Sequence, residues 1–314
     1  MSRLYRQNRF VMDNLAPNLP DTPVAGSGRP RITDALQRKA LLVWVVVAFL
    51  PSLLLILPLM RLLHANPSEL TVHTDLAVKG VQSLFVVLAT WMAARVIQRP
   101  LDEIGMPPRQ ALGLRFWEGC MWGFAMLSAV LLIIRLTGHF EIISVALSGG
   151  AILKYAVGWA LVFLFVAISE EFVFRGFLLF SLSRRLTFWP AALFLSVMFG
   201  AAHLGNHGES VLGILQVVVI GLIFCLTIRR TGTLWFAVGF HAAWDWAQTF
   251  FFGTADSGLV GVGHLLNSTS AGPTWITGGA PGPEGSLIAL AVLLVFALLV
   301  HLRFPNVVYP DKPE

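Results

Sequence analysis

The stretch Leu161-Val-Phe-Leu-Phe-Val-Ala-Ile-Ser-Glu170-Glu171-Phe-Val-Phe-Arg175-Gly-Phe-Leu178 sets two adjacent carboxylates and an arginine inside an otherwise apolar run. The run is too long and too evenly apolar for a strand, so it reads as a helix at membrane depth. Charged side chains there are costly, face a bundle interior or a watery cavity, and mark function by default. The fold therefore follows from asking how the rest of the chain surrounds these three groups.

Composition points the same way. Of 314 residues, 56% are hydrophobic and only 12% charged, with a mean hydropathy of +0.74. Soluble domains carry about 25% charged residues. Eight apolar segments follow one another, at about 40–63, 78–98, 116–136, 151–172, 188–204, 210–228, 233–252 and 286–304. The expectation is an all-α, polytopic membrane bundle of about eight transmembrane helices. A β-barrel is disfavoured, because its strands would alternate polar and apolar residues. Pro51 and Pro58 fall in the first segment; membrane helices tolerate proline when neighbours re-satisfy the freed carbonyls.

Charge distribution orients the bundle. With a cytoplasmic amino terminus, 18 of the 22 Lys/Arg fall on the cytoplasmic side, as the positive-inside rule requires. Arg61, Lys79, Arg135 and Lys154 fall on the other side, and the loop 253–285 holds no Lys or Arg. Both termini are thus expected in the cytoplasm, with the chain in the plasma membrane, the inner membrane if bacterial. Trp117, Trp189 and Trp235 sit where an aromatic belt would lie. The net charge of +5 is read as attraction to an anionic leaflet, not to nucleic acid. Cys120 and Cys225 sit in apolar runs and form neither a disulfide framework nor a zinc pattern. The polar first 39 residues read as a mobile tail without a cleavable signal peptide. The Gly/Pro-rich loop 253–285 carries enough apolar residues to suggest an ordered cap.

The chemistry follows from spacing. Glu171 and Arg175 stand four apart in the favourable order and read as mutual structural partners. Glu170, about 100° away on the helix, is left without a local counter-ion and suits a general acid or base. Counted from a turn near Leu186, Glu170 lies 16 residues before and His203 17 after. Antiparallel helices bring both to one level, ~25 Å from the turn. Phe199, one turn before His203, can pack on its ring. His241 and Asp245 share a face of the seventh segment, where Asp245 can orient the imidazole or, if protonated, donate with it to an oxyanion. Together these groups read as a water-activating hydrolytic site. Zinc held by Glu and two His from separate helices is the minority alternative, since no local metalloprotease spacing is present. A proton-coupled transporter, or a non-catalytic immunity or scaffold protein, would also place such groups at depth.

Glu170-Glu171-x-x-x-Arg175, Phe199-x-x-x-His203 and His241-x-x-x-Asp245 resemble the three ordered motifs of the CPBP family of intramembrane endopeptidases. That family comprises the CAAX prenyl proteases and bacteriocin-processing, Abi-type enzymes. The resemblance covers about residues 150–250. It implies a glutamate-dependent protease needing no metal or other cofactor and acting on a peptide or protein substrate at the membrane, among lipid. By this resemblance Glu170 activates water with His203, and His241 and Asp245 bind the oxyanion. Glu171, Arg175 and Phe199 support the motifs. Asp245 stands where the family often has Asn. The expected organisation is a tail (1–39), a protease domain (40–305) and a carboxy-terminal tail (306–314).

Overall fold

The computed structural model describes residues 31–66 and 69–313. Among the described residues eight helices of twelve residues or more carry the chain: α1 Asp34–Leu62, α2 Val72–Val96, α3 Leu114–Leu136, α4 Gly150–Leu186, α5 Phe188–Ala202, α6 Val211–Thr231, α7 Trp235–Trp246 and α8 Leu287–Arg303. Each expected apolar segment is helical. Five of them (α1, α2, α3, α4 and α6) are long and apolar enough to cross a membrane. The other three are shorter: α5 has 15 residues, α8 has 17, and α7 has 12 before continuing as a π-helix over Ala247–Phe251. The outer surface is greasy, with Leu53, Leu54 and Leu57 of α1 among its exposed side chains. Such helices fit a multi-pass membrane protein.

Backbone contact between α3 and α7 sets the centre of the bundle. A methyl group at Gly119 would overlap the Phe236 carbonyl oxygen, one at Gly123 that of Phe240, and one at Gly239 that of Phe116. Small residues let membrane helices approach this closely when no water-driven apolar effect holds them together. Polar ties add to it. Trp44 Nε1 donates to Thr90 Oγ1 (3.1 Å) between α1 and α2, and Gln37 Nε2 to the Ser181 carbonyl (2.7 Å) between α1 and α4. Trp246 Nε1 donates to the Ala156 carbonyl (2.9 Å) between α7 and α4.

Both site-bearing helices change pitch beside the charged groups. In α4 the turn Phe172–Phe177 is a π-helix, and Gly176 within it leaves helical geometry (φ −90°, ψ −122°). In α7 the π turn starts two residues after Asp245. π turns concentrate at functional sites.

Three expectations are corrected. First, the amino-terminal tail does not run to residue 39: Thr33 accepts a hydrogen bond from Leu36 N and starts α1 at Asp34. Most of the expected tail lies outside the described residues. Second, Trp235 is no belt residue. It is buried, and its Nε1 donates to the Pro107 carbonyl (2.8 Å). Third, α5 ends at Ala202, so His203 is the residue that closes the helix rather than one inside it. The carboxy-terminal segment packs against the bundle: Val308 and Tyr309 donate backbone hydrogen bonds to the Arg229 carbonyl, and Tyr309 is buried.

The loop 253–285 builds a cap. Strand β1 (Phe140–Val145), between α3 and α4, pairs antiparallel with β2 (Leu266–Ser270) across a bulge between Ile142 and Ser144. The π turn of α7 anchors the start of the cap. Gln248 Nε2 donates to the Ala255 carbonyl (2.6 Å), and Thr249 Oγ1 to Asp256 Oδ2 (3.0 Å). Trp159 Nε1 of α4 donates to the Val262 carbonyl (3.2 Å).

Candidate active site

Glu170 and Glu171 look different ways, as the helical offset requires. Glu171 is sealed in the core with no exposure and pairs with Arg175 (Oε1 to Nη1, 3.1 Å), whose side chain is equally buried. The Arg175 guanidinium lies 4.1 Å from the centre of the Phe199 ring, a cation–π contact joining α4 to α5. Gly221 of α6 makes room for it, since a methyl there would overlap Nη2.

Glu171 Oε1 also lies 3.0 Å from His241 Nδ1. A carboxylate paired with arginine only accepts, so Nδ1 carries the proton of that bond. This fixes the imidazole and leaves Nε2 facing Asp245 Oδ2 at 3.4 Å and Glu170 Oε2 at 3.8 Å. Glu171 is thus more than the structural partner of Arg175. It orients His241, the part the sequence reading assigned to Asp245. Asp245 sits on the opposite ring nitrogen. The 70 residues between Glu171 and His241 left no local pattern to read.

His203 is placed by its own helix. Its Nδ1 lies 2.8 Å from the Phe199 carbonyl oxygen, and its ring meets that of Phe199 edge-on at 4.6 Å. A carbonyl accepts, so Nδ1 carries a proton, and a single-proton ring would leave Nε2 as an acceptor. Among the described residues no ion pair within 4.0 Å joins His203 to Glu170. The two meet instead on the wall of one cavity of about 290 Å³, lined also by His241, Asp245 and, from α2, Lys79. α5, α6 and the turn between them add Phe199, Asn206, Glu209, Gln216 and Phe224, and the cap adds Asp256, Ser257, Leu259 and Glu284. The cavity lies at the end of the bundle where α1 joins α2, α5 joins α6, and the cap joins α7 to α8.

Two cap carboxyls hold their protons unusually tightly. Burial pushes Glu284 up to about 8 against the Ser257 amide it accepts (2.9 Å), with Asp245 and Glu209 adding repulsion. Burial raises Asp256 well above the usual range, and Asp245 and Glu284 add to it. Sequence reading missed both, although two carboxyls in an apolar, cation-free loop were a visible signal. Among the described residues, no three His, Cys, Asp or Glu are grouped as a metal site.

The arrangement can hold a water beside Glu170 and His203 and a polarised carbonyl beside His241. Residues 151–247 match the family of type II CAAX prenyl endopeptidases, Rce1-like. The match spans all three motifs, so the resemblance they suggested is shown for the segment that carries them, and it supports a CAAX-type intramembrane protease. YyaK of Bacillus subtilis (strain 168), itself described as uncharacterized, is 27% identical over 230 residues, 71% of this chain and 73% of its own length.

Proposed function

We propose that the chain hydrolyses a peptide bond within the bundle by glutamate-activated water. The observation that carries this reading is the single cavity onto which Glu170, His203, His241 and Asp245 open. Glu170 takes a proton from water held with the help of His203 Nε2, and the hydroxide attacks the scissile carbonyl carbon. The oxyanion accepts from His241 Nε2–H and from a protonated Asp245. To donate from Nε2 while Nδ1 donates to Glu171, the His241 ring carries both protons. Collapse of the intermediate breaks the C–N bond, and protonated Glu170 returns its proton to the leaving amine. No metal or other cofactor takes part in this scheme.

The family match adds CAAX-type processing as the related activity. With both termini cytoplasmic in a plasma membrane, the cavity faces outward, because it lies at the end of the bundle opposite most of the Lys and Arg. Substrate would then be a peptide or protein segment reaching the bilayer from outside, among lipid.

Cleavage of membrane-anchored peptides by the purified wild type and Glu170→Gln, with and without chelator, tests the reading. Cleavage by wild type alone that survives chelation supports it. Loss on chelation moves the chemistry to zinc. Equal cleavage by both proteins removes Glu170 from the reaction.

A further inference from the structure

The cap end of the cavity is built from acceptors. Glu209, Asp245, Asp256 and Glu284 line it together with Glu170, against Lys79 as the one lysine or arginine among the described lining residues. Glu209, Asp256 and Glu284 have no salt bridge among the described residues. Each has one oxygen committed to a local donor: Glu209 to Ser210 N (2.8 Å), Asp256 to Thr249 Oγ1 (3.0 Å) and Glu284 to Ser257 N (2.9 Å).

A separate observation comes from α6. Gln216 lines the same cavity, is only 5% exposed, and its Oε1 has no hydrogen-bond partner. A buried amide oxygen without a donor costs free energy unless a ligand satisfies it. What the carboxylates and this oxygen lack in common is a donor that brings positive charge.

We infer that the cap end of the cavity is a subsite for a basic residue of the substrate, an arginine or lysine side chain close to the scissile bond. The inference rests on the protease reading above and adds a substrate class to it. A guanidinium or ammonium group brings several N–H donors and the missing counter-charge at once. A cation bound there would take the place of the protons that burial keeps on Glu284 and Asp256. Lys79, His203 and His241 face the same cavity.

The test uses the full-length protein in nanodiscs and one anchored peptide. Each position flanking the scissile bond is made Arg, Gln or Glu in turn. The expected result is one position where Arg raises kcat/KM at least about tenfold over Gln and Glu lowers it. Asp256→Asn with Glu284→Gln should bring the Arg:Gln ratio to near one, and Glu284→Arg should turn the preference towards Glu. That last variant gains a specificity, so misfolding cannot mimic it. Flat ratios in the wild type, or an Arg preference that survives both cap changes, would overturn the subsite. A binding arm with Glu170→Gln separates the two readings. Tighter binding of Arg peptide by this variant, with no cleavage of any peptide by wild type, keeps the subsite and sinks the protease. Cleavage without preference sinks the subsite alone.

Discussion

Glu170 and Glu171 are neighbours in sequence and live in different solvents. Glu171 faces a dry interior where every charge has a fixed partner: Arg175 at 3.1 Å, His241 at 3.0 Å, and the Phe199 ring over the guanidinium. Glu170 faces a cavity and keeps 28% of its side chain accessible, with its nearest charged partner, His241, at 3.8 Å. One helical step separates a carboxylate tied into a buried ion pair from one that opens onto the cavity. The difference teaches that an intramembrane carboxylate is read by what surrounds it, since sequence adjacency alone would have treated the two alike.

The sharpest way to break this comparison is substitution at both positions. Glu170→Gln should lower turnover by about 10²–10⁴-fold, the usual worth of a general base, with thermal stability unchanged. Single-turnover cleavage and a melting curve on the same preparation check it. Glu171→Ala should do the reverse first, losing about 3–5 kcal/mol of stability because Arg175 is left buried and unpaired. Chemical denaturation in detergent reads that loss. If Glu170→Ala destabilised as much, the division between the two carboxylates would fail.

The pair Asp245→Asn and Asp245→Ala sharpens the open side. Asn always has an N–H to donate, so it should stay within about tenfold of wild type, while Ala should fall by about 10²–10³-fold. Equal losses would remove Asp245 from the oxyanion. On the sealed side, Gly239→Ala pushes α7 off the Phe116 carbonyl and should cost about 1–3 kcal/mol. It should also lower kcat, since His241 rides on that helix.

A further prediction concerns the cap and is read as a slope against pH. Glu284 keeps its proton up to about 8 in the folded protein, against an ordinary 4.5. Between those values the unfolded chain binds fewer protons than the folded one. Stability therefore falls as pH rises through this window, by at most about 1.4 kcal/mol per unit, and is level above it. Glu284→Gln should flatten that slope in melting curves taken at pH 5 to 8.

The sealed ion pair and the eight helices were legible because both depend on local spacing: i, i+4 for Glu171 and Arg175, and sustained apolar runs for the helices. What the sequence hid was long-range. Nothing near Glu171 announces a bond to His241, and nothing near Trp235 announces the Pro107 carbonyl. The start of α1 did have a signal, Thr33 before Asp34, masked by the basic, polar stretch around it. The β1–β2 pair was half visible in Phe140-Glu-Ile-Ile-Ser-Val145, a β-branched run, but its partner lies 120 residues on.

The π turn in α4 has a mechanical consequence. An extra residue in one turn shifts the phase of everything beyond it, and each residue of an α-helix is worth about 100° of rotation. Upstream of Phe172 the helix points Glu170 at the cavity; downstream, Leu179 and Phe180 are locked into the core. Winding Phe172–Phe177 at ordinary pitch with no residue removed would force one half of the helix to rotate against its packing. The turn works as a phase adjuster, letting the face that meets neighbouring helices and the face that meets water be set independently along one rod.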